Sequence, residues 1–177
     1  MQKKNGRQIR CTERTTFADS IRIAILTSVI LLVSLPANAA GRLTDFQCLV
    51  EAIYYEIGWG SMEERLAVGA VVLNRVNFSN KPTTICAVVH ASTTREDGRK
   101  VCAFSYHCSP SRTYHNISNQ YIKQMCEYAA LAAIEGAVPA GLSRAVSFHN
   151  DSVSPNWSRT LRFVRKIGPH LFYEVAQ

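Results

Sequence analysis

Apolar residues recur at helical spacing in four stretches of the chain. Thr44 and Ser61 each open a tetrapeptide of the capping-box type, in which the side chain of the first residue bonds to the backbone three residues later. Gly136 follows the last stretch and is a typical helix terminator. We therefore predict helices over residues 44–57, 61–76, 84–90 and 118–135.

The C-terminal part of the chain changes to a pattern typical of β-strands, with alternating polarity and many β-branched and aromatic residues. Three strands are predicted, over residues 145–149, 161–167 and 170–175. Between the helices, residues 91–100 are predicted to form a charged loop, and residues 101–106 a short strand or an extended segment. Helices that precede a small antiparallel sheet indicate an α+β domain in which helices dominate.

The N-terminal residues have the features of a secretory signal peptide. Six basic residues precede or border an apolar run over 23–35, Pro36 breaks this run, and the Ala-Asn-Ala triplet ending at Ala39 fits the cleavage pattern. We predict a signal peptide over 1–39 and one exported domain over 40–177, located in the periplasm or secreted. The alternative is an uncleaved anchor, but the run is shorter than the roughly 20 residues of a spanning helix. No stable membrane span is expected after cleavage.

The positive charge of the chain lies mostly in this N-terminal segment. The formal net charge is +7, and residues 1–39 hold six basic and two acidic residues, which leaves about +3 for the predicted domain. Such a mild bias suits an anionic cell envelope and is too weak to indicate nucleic acid. We therefore expect no nucleic-acid partner.

Export would place the cysteines in a compartment that permits disulfides. Cys11 belongs to the predicted signal peptide, and the five remaining cysteines allow at most two bridges. Cys126 shares an apolar helical face with its neighbours, so it is predicted to be a buried free thiol. No C-x-x-C occurs, and a zinc site built from cysteines is therefore not expected.

Glu56 lies at the end of the first predicted helix, just before the Gly58-Trp59-Gly60 break. The negative end of a helix dipole disfavours a charged carboxylate, and flanking aromatic side chains would exclude water and raise its pKa. A carboxylic acid that stays protonated near neutral pH can protonate a leaving sugar oxygen. The alternative interpretation is a surface glutamate at a frayed helix end, because perturbed groups are often structural.

Other catalytic motifs are absent from the sequence. There is no G-x-S-x-G elbow, no H-E-x-x-H and no glycine-rich phosphate loop. The five histidines are loosely spaced, so no metal site is expected, although a zinc amidase or peptidase stays open. Aromatic residues cluster around the breaks between predicted elements, and such residues form platforms on which sugar rings stack.

Several motifs resemble, in order along the chain, the SleB-type cell wall hydrolase family, which is named for spore cortex-lytic enzymes. They are Tyr54-Tyr55-Glu56, Ala67 to Val76, Cys86-Ala87-Val88-Val89, Cys102 to Cys108, Phe148 to Trp157, and Ile167 to Tyr173. Each motif is weak alone, but together they are highly specific and cover nearly the whole predicted domain. The resemblance implies a mostly helical lysozyme/transglycosylase-like fold with a small C-terminal antiparallel sheet.

The resemblance also implies a peptidoglycan glycan-strand lyase or muramidase in which Glu56 is the catalytic acid. The family usually has a second glutamate four residues later, where this chain has Gly60, and a small residue where it has Ile57. Asp151 is the best remaining candidate for a second carboxylate. The expected substrate-binding residues are Tyr55, Trp59, Phe104, Ser105, His149, Trp157 and Tyr173.

A single well-placed carboxylate favours a lytic transglycosylase, since hydrolysis generally uses a pair. Glu56 would protonate the oxygen between N-acetylmuramic acid and N-acetylglucosamine, and then accept the proton of the muramic acid C6 hydroxyl as an anhydro ring closes. This chemistry requires no metal and no cofactor. The expected partner is peptidoglycan, and the protein is expected to be a monomer in the periplasm or cell wall.

The family pattern further implies that Cys48, Cys86, Cys102 and Cys108 form two disulfides. We expect Cys86 to pair with Cys102, because the intervening loop could fold back. Two other functions stay open: an N-acetylmuramoyl-L-alanine amidase, and a non-catalytic peptidoglycan-binding protein produced by the change at Gly60.

Overall fold

The computed structural model describes residues 37–81 and 83–175, so the predicted signal peptide lies, up to residue 36, outside the described residues. The helices are α1 (Ala37–Ile57), α2 (Met62–Asn77), α3 (Ile85–Val89) and α4 (Gln120–Ile134). The strands are β1 (Ser92–Thr94), β2 (Lys100–Cys102), β3 (Ala145–Asn150), β4 (Arg162–Ile167) and β5 (His170–Glu174). Short 3-10 turns span Ser105–Cys108, Tyr114–Asn116 and Asn156–Arg159. The α+β prediction, with helices first and a small sheet last, is confirmed.

The first helix begins at Ala37 and not at Thr44, so the predicted start is wrong. The physical reason is that the alanine-rich residues 37–40 favour a helix, so Thr44 lies inside α1 and does not cap it. Asp45 contacts α3 instead, since its Oδ1 accepts the backbone N–H of Cys86 at 3.0 Å. No helix in the described ranges is both long and apolar enough to cross a membrane.

The predicted charged loop over 91–100 contains a hairpin. Strands β1 and β2 pair antiparallel, with Ser92 opposite Cys102. Gly98, at φ 78°, supplies the left-handed residue of the turn, and Asp97 Oδ1 accepts the backbone N–H of Arg99. The Asp97-Gly98 dipeptide is typical of hairpin turns, so it was the feature of the sequence that could have predicted this hairpin.

The core consists of two apolar clusters, and each contains residues of α2. The larger cluster joins α1, α2 and α4 and includes Leu49, Ile53 and Val72, all fully buried. The smaller one joins α2 to the C-terminal sheet through Val71 and Phe172. Each large apolar side chain buried in this way contributes about 1.5–3 kcal/mol. Because α2 packs on both sides, it fixes the sheet relative to the end of α1.

The C-terminal sheet has the strand order β3-β5-β4, and both pairings are antiparallel. Strand β5 is central and mostly buried, whereas β4 is an edge strand. Three basic side chains on β4 are ion-paired: Arg162 with Glu174, Arg165 with Glu63 at 2.8 Å, and Lys166 with Asp151 at 2.6 Å.

Two disulfides are formed, Cys48–Cys86 and Cys102–Cys108, and Cys126 is a buried free thiol. The expected pairing of Cys86 with Cys102 is therefore wrong. Its physical reason lies in the packing: α3 docks against α1, which brings Cys86 to Cys48, while the 3-10 turn Ser105–Cys108 returns the chain towards the end of β2.

Candidate active site

Glu56 occupies the last turn of α1, and this helix end is held by two kinds of hydrogen bond. The backbone N–H of Gly58 donates to the carbonyl of Tyr54 at 3.0 Å. The buried guanidinium of Arg65, on α2, donates twice to the carbonyl of Gly58, at 3.2 and 2.8 Å. The carbonyls left free at a helix C-terminus are thus partly satisfied, and the position of Glu56 is fixed by the α1–α2 junction.

A cleft of about 350 Å³ opens beside Glu56. It lies between the end of α1, the segment after β2, and the C-terminal sheet. Among the described residues that line it, Glu56 is the sole acidic side chain. The lining residues are Glu56, Arg75, Cys102, Ala103, Phe104, Ser105, Phe148, His149, Asn150, Val153 and His170.

The surroundings of Glu56 favour its protonated form. Burial raises the pKa of this carboxyl to about 7, and the cationic side chains of Arg75 and Arg112 oppose the rise. The effect of burial exceeds that of the two arginines, because the side chain is half-buried and has no hydrogen bond or ion pair with a described residue. A carboxyl group with this pKa can serve as an acid and, once deprotonated, as a base near neutral pH.

Of the two cations that lower the pKa of Glu56, Arg75 has the larger effect. Its Nε donates to the carbonyl of Val146 at 2.6 Å, and its guanidinium carbon lies 5.1 Å from the centroid of the Phe104 ring. Burial lowers the pKa of Arg75 and the Glu56 carboxylate raises it. The arginine is therefore held by backbone and aromatic contacts in a place where it stabilises an anionic Glu56. The sequence analysis did not assign it a role, although the family motif from Ala67 to Val76 contains it.

Three of the expected substrate-binding residues contact one another at the C-terminal sheet, and of these His149 lines the cleft whereas Trp157 and Tyr173 do not. His149 Nε2 is 3.0 Å from the Tyr173 hydroxyl, and the two rings stack with centroids 5.2 Å apart. Trp157 packs edge-on against both, with centroids 5.5 Å from each. Trp157 is 37% exposed and Tyr173 is 7% exposed, so the tryptophan offers the larger free surface.

The other four expected binding residues are dispersed. Ser105 is exposed and lines the cleft, whereas Phe104 lines it but is only 2% exposed. Tyr55 stacks on Tyr106 and donates its hydroxyl to a backbone carbonyl of Thr113 at 2.9 Å. Trp59, with 79% of its surface exposed, lies in the α1–α2 turn and does not line the cleft.

The two departures from the family pattern, Ile57 and Gly60, are sterically linked. A Cβ atom at Gly60 would lie 2.6 Å from Cγ1 of Ile57 and 3.0 Å from Oε2 of Glu64. The larger residue at 57 therefore requires the smallest one at 60. Glu64 is tied into the capping box with Ser61, whose backbone N–H donates to Oε2 at 2.6 Å.

Neither of the other acidic candidates lines the cleft. Asp151 is exposed and ion-paired with Lys166, and hydrogen bonding to this lysine lowers the pKa of Asp151. Glu63 is exposed and paired with Arg165. His170 lines the cleft, and burial lowers its pKa. One group of the described residues is close enough to hold a metal ion, namely Glu51, His90 and His107, and it lies outside this cleft.

The profile of the Cell Wall Hydrolase family matches residues 60–173. The chain belongs to this family. The matched region begins four residues after Glu56 and includes every other residue that lines the cleft. It also includes Trp157 and Tyr173.

Relatives that are similar in sequence agree with this assignment. The chain is 29% identical over 131 residues to a spore cortex-lytic enzyme of Bacillus cereus, and 28% identical over 131 residues to one of Oceanobacillus iheyensis. These matches cover 72% of this chain and 43% and 41% of the relatives, so the chain spans less than half the length of the curated relatives it matches.

Two solved structures share the fold. The catalytic domain of the Bacillus cereus SleB protein is 27% identical with a TM-score of 0.58, covering 75% of this chain and 91% of that domain. The catalytic domain of the germination-specific lytic transglycosylase SleB from Bacillus anthracis is 28% identical with a TM-score of 0.57, covering 73% of this chain and 93% of that one. The expected lysozyme/transglycosylase-like architecture is confirmed by this likeness.

Proposed function

We propose that this cell wall hydrolase cleaves peptidoglycan glycan strands between N-acetylmuramic acid and N-acetylglucosamine, as a lytic transglycosylase with Glu56 as its catalytic acid and base. The observation that carries the proposal is a single carboxyl group in the described cleft lining, with a pKa raised to about 7. The likeness to the Bacillus anthracis domain, which is a germination-specific lytic transglycosylase, supports the same reaction.

The reaction begins with Glu56 in its protonated form. Its proton passes to the glycosidic oxygen, the bond from this oxygen to C1 of N-acetylmuramic acid breaks, and N-acetylglucosamine leaves with a free hydroxyl. Glu56 is then an anion in a desolvated site, and the positive charge of Arg75 stabilises it.

The second half returns the proton to Glu56. The carboxylate removes the proton of the muramic acid C6 hydroxyl, and this oxygen closes on C1 to form a 1,6-anhydro ring. The nucleophile belongs to the same sugar, so its effective concentration is high and no activated water is needed. One carboxyl group suffices, whereas hydrolysis would use a second carboxylate on the opposite face of the ring.

The aromatic group on the sheet side supplies a binding surface for the strand. Trp157 and Tyr173 pack against His149, which lines the cleft, and sugar rings pack on such aromatic groups. The His149–Tyr173 hydrogen bond holds both rings in place.

Mass analysis of products from purified peptidoglycan tests the proposal. We expect products ending in anhydro-muramic acid, lighter by one water than reducing-end products. Glu56→Gln should lower the rate at least about 100-fold, because it keeps the shape of the side chain and removes its proton. Glu63→Gln, which changes an exposed glutamate on α2, is the matched control and should retain activity.

Other products would overturn the proposal in distinct ways. A predominance of reducing ends would indicate a muramidase. Free peptide stems with intact glycan would indicate the amidase. Sacculus binding without any product, from folded protein, would indicate a binding module. Near-normal turnover by Glu56→Gln would remove this residue from the mechanism.

A further inference from the structure

Three side chains that are far apart in the sequence meet beside α1, outside the cleft of Glu56. Glu51 lies on α1, His90 caps the C-terminus of α3, and His107 lies in the 3-10 turn Ser105–Cys108. Nε2 of His90 is 3.0 Å from Oε1 of Glu51, and one ligand atom from each of the three residues lies within 4.8 Å of the others. Glu51 is buried, and both histidines are half-buried beside a second cleft of about 250 Å³.

The donor set suits a divalent transition metal. Two imidazoles and one carboxylate are ligands of zinc sites, with bonds of about 2.0–2.2 Å, which places ligand atoms roughly 3.4 Å apart. The two rings stack with centroids 4.2 Å apart, so one ring must turn about its Cβ–Cγ bond before the lone pairs of both can point to one ion. Within the described residues, neither ring nitrogen of His107 has a hydrogen-bond partner, which leaves a lone pair available.

Each disulfide fixes one of the histidines. Cys48 lies on α1 one turn before Glu51, and its bridge to Cys86 ties this helix to α3, which ends at His90. The second bridge closes the short loop from Cys102 to Cys108, and His107 precedes Cys108 directly. Covalent links thus hold both histidines in place relative to the carboxylate, which reduces the entropy lost when a ligand is bound.

The carboxylate is also oriented by groups that leave one side of it open. Oε2 of Glu51 accepts the backbone N–H of Tyr114 at 2.8 Å, and Oε1 accepts the hydroxyl of Tyr106 at 3.2 Å. Metal-ligating carboxylates are commonly held by such outer hydrogen bonds. The remaining direction of Oε1 points to His90, so an ion would replace that hydrogen bond.

We propose that Glu51, His90 and His107 form a binding site for a divalent transition-metal ion, with zinc preferred. The spacing of these residues along the chain did not predict it. Three protein ligands leave a fourth position facing the second cleft, where water can coordinate. Glu51 and Glu56 are five residues apart on one helix and therefore point about 140° apart. The metal site is thus separate from the proposed glycan-cleaving carboxyl.

Zinc titration of the full chain tests the site, in a Cys11→Ser background that removes the one cysteine outside the described residues. Affinity is measured by competition with a chromophoric chelator, with the disulfides intact. We expect one bound zinc, and His90→Ala and His107→Ala should each weaken binding at least about 10-fold. His115→Ala is the matched control, since His115 lines the same cleft but is not one of the three ligands.

Thermal melts provide a second readout that does not depend on glycan cleavage. Zinc should raise the melting temperature of the parent protein and of His115→Ala, and at the same zinc concentration should raise that of His107→Ala by less. The variants change the histidines and not Glu51, because Glu51 is buried among three hydrogen-bond donors. Replacing Glu51 would leave these donors unpaired and could unfold the protein. Absence of zinc binding, equal binding by His107→Ala, or an equal loss with His115→Ala would overturn the assignment.

Discussion

Glu56 must hold a proton at the start of the proposed reaction and release it part-way through. Burial favours the protonated form, and Arg75 stabilises the anion that forms next. The opposing effects bring the pKa to about 7, which is near the value at which one group serves equally well as acid and base. The sequence predicted a raised pKa from the helix end and from aromatic neighbours that exclude water, and burial is the cause in the structure. The opposing arginine was not predictable from that position.

The pH dependence of turnover should report this balance. Activity is expected to fall as pH rises through about 7, because the proton of Glu56 is then absent at the first step. Arg75→Met removes the opposing charge, so the pKa of Glu56 should rise and the descending limb should move to higher pH. Rates measured from pH 5 to pH 9 check this, with Arg144→Met, an exposed arginine, as the control. If activity of Arg75→Met fell at the same pH as that of the parent protein, the role given to Arg75 would be contradicted.

The same carboxyl should make the free energy of unfolding depend on pH. Its folded pKa of about 7 exceeds the ordinary value of 4.5, so its stabilising contribution is complete below pH 4.5 and is lost as pH rises through 7. At about 1.4 kcal/mol per pH unit, the loss approaches roughly 3 kcal/mol. Urea unfolding of the parent and of Glu56→Gln should diverge by this amount across the window. Parallel profiles would mean that the folded pKa is not raised.

At the scale of elements, the periodic segments were predictable and the connections were less so. Strands β3, β4 and β5 and the end of α4 follow from local pattern, because alternation and a terminal glycine are properties of the segment itself. The start of α1 did not follow from pattern, because the helix continues back to Ala37 through the Thr44 tetrapeptide that the pattern gave as its start. The cysteine pairing also depends on how helices dock, which no single segment encodes.

Asn74 links α2 to the sheet and offers a test of that docking. Its side-chain amide donates to the carbonyls of Leu142 and Ala145, at 2.9 and 2.8 Å, and the residue is buried. Asn74→Ala leaves both carbonyls unsatisfied and should lower the free energy of unfolding by roughly 1–3 kcal/mol. Asn74→Asp, which keeps the shape but cannot donate when ionised, should cost more.

Denaturant unfolding at pH 7 measures both variants. The control is Asn77→Ala, at the exposed C-terminal end of α2, which should change stability by less than about 0.5 kcal/mol. If Asn74→Asp were as stable as the parent protein, the hydrogen bonds to the sheet would not contribute to α2 docking.

For the whole molecule, the resemblance to the family gave the fold class, the location of the sheet and the cleft-forming segments in the correct order. It did not reveal that Ile57 and Gly60 compensate each other, because that requires the distance between a side chain and an absent Cβ atom. It also did not reveal which aromatic residues gather: Trp157 joins His149 and Tyr173, whereas Trp59 stays apart.

The oxidation state of the molecule gives a further prediction. In a Cys11→Ser background, denatured but unreduced protein should show one titratable thiol, that of Cys126. Replacing Cys48 and Cys86 by alanine opens a bridge between residues 38 apart and should cost roughly 2–4 kcal/mol. Thiol titration and denaturant unfolding measure the two effects. Three titratable thiols in the parent protein would mean that one bridge does not form.

The charged edge strand β4 has a consequence for how copies of this protein meet. An exposed strand edge can pair with the edge of another molecule and begin aggregation. Here the side chains of Arg162, Arg165 and Lys166 are exposed on that strand, and each is ion-paired with an acidic residue. Pairing of two β4 edges would have to remove water from these charged groups, so the same ion pairs that anchor the strand to its own domain oppose sheet extension between copies.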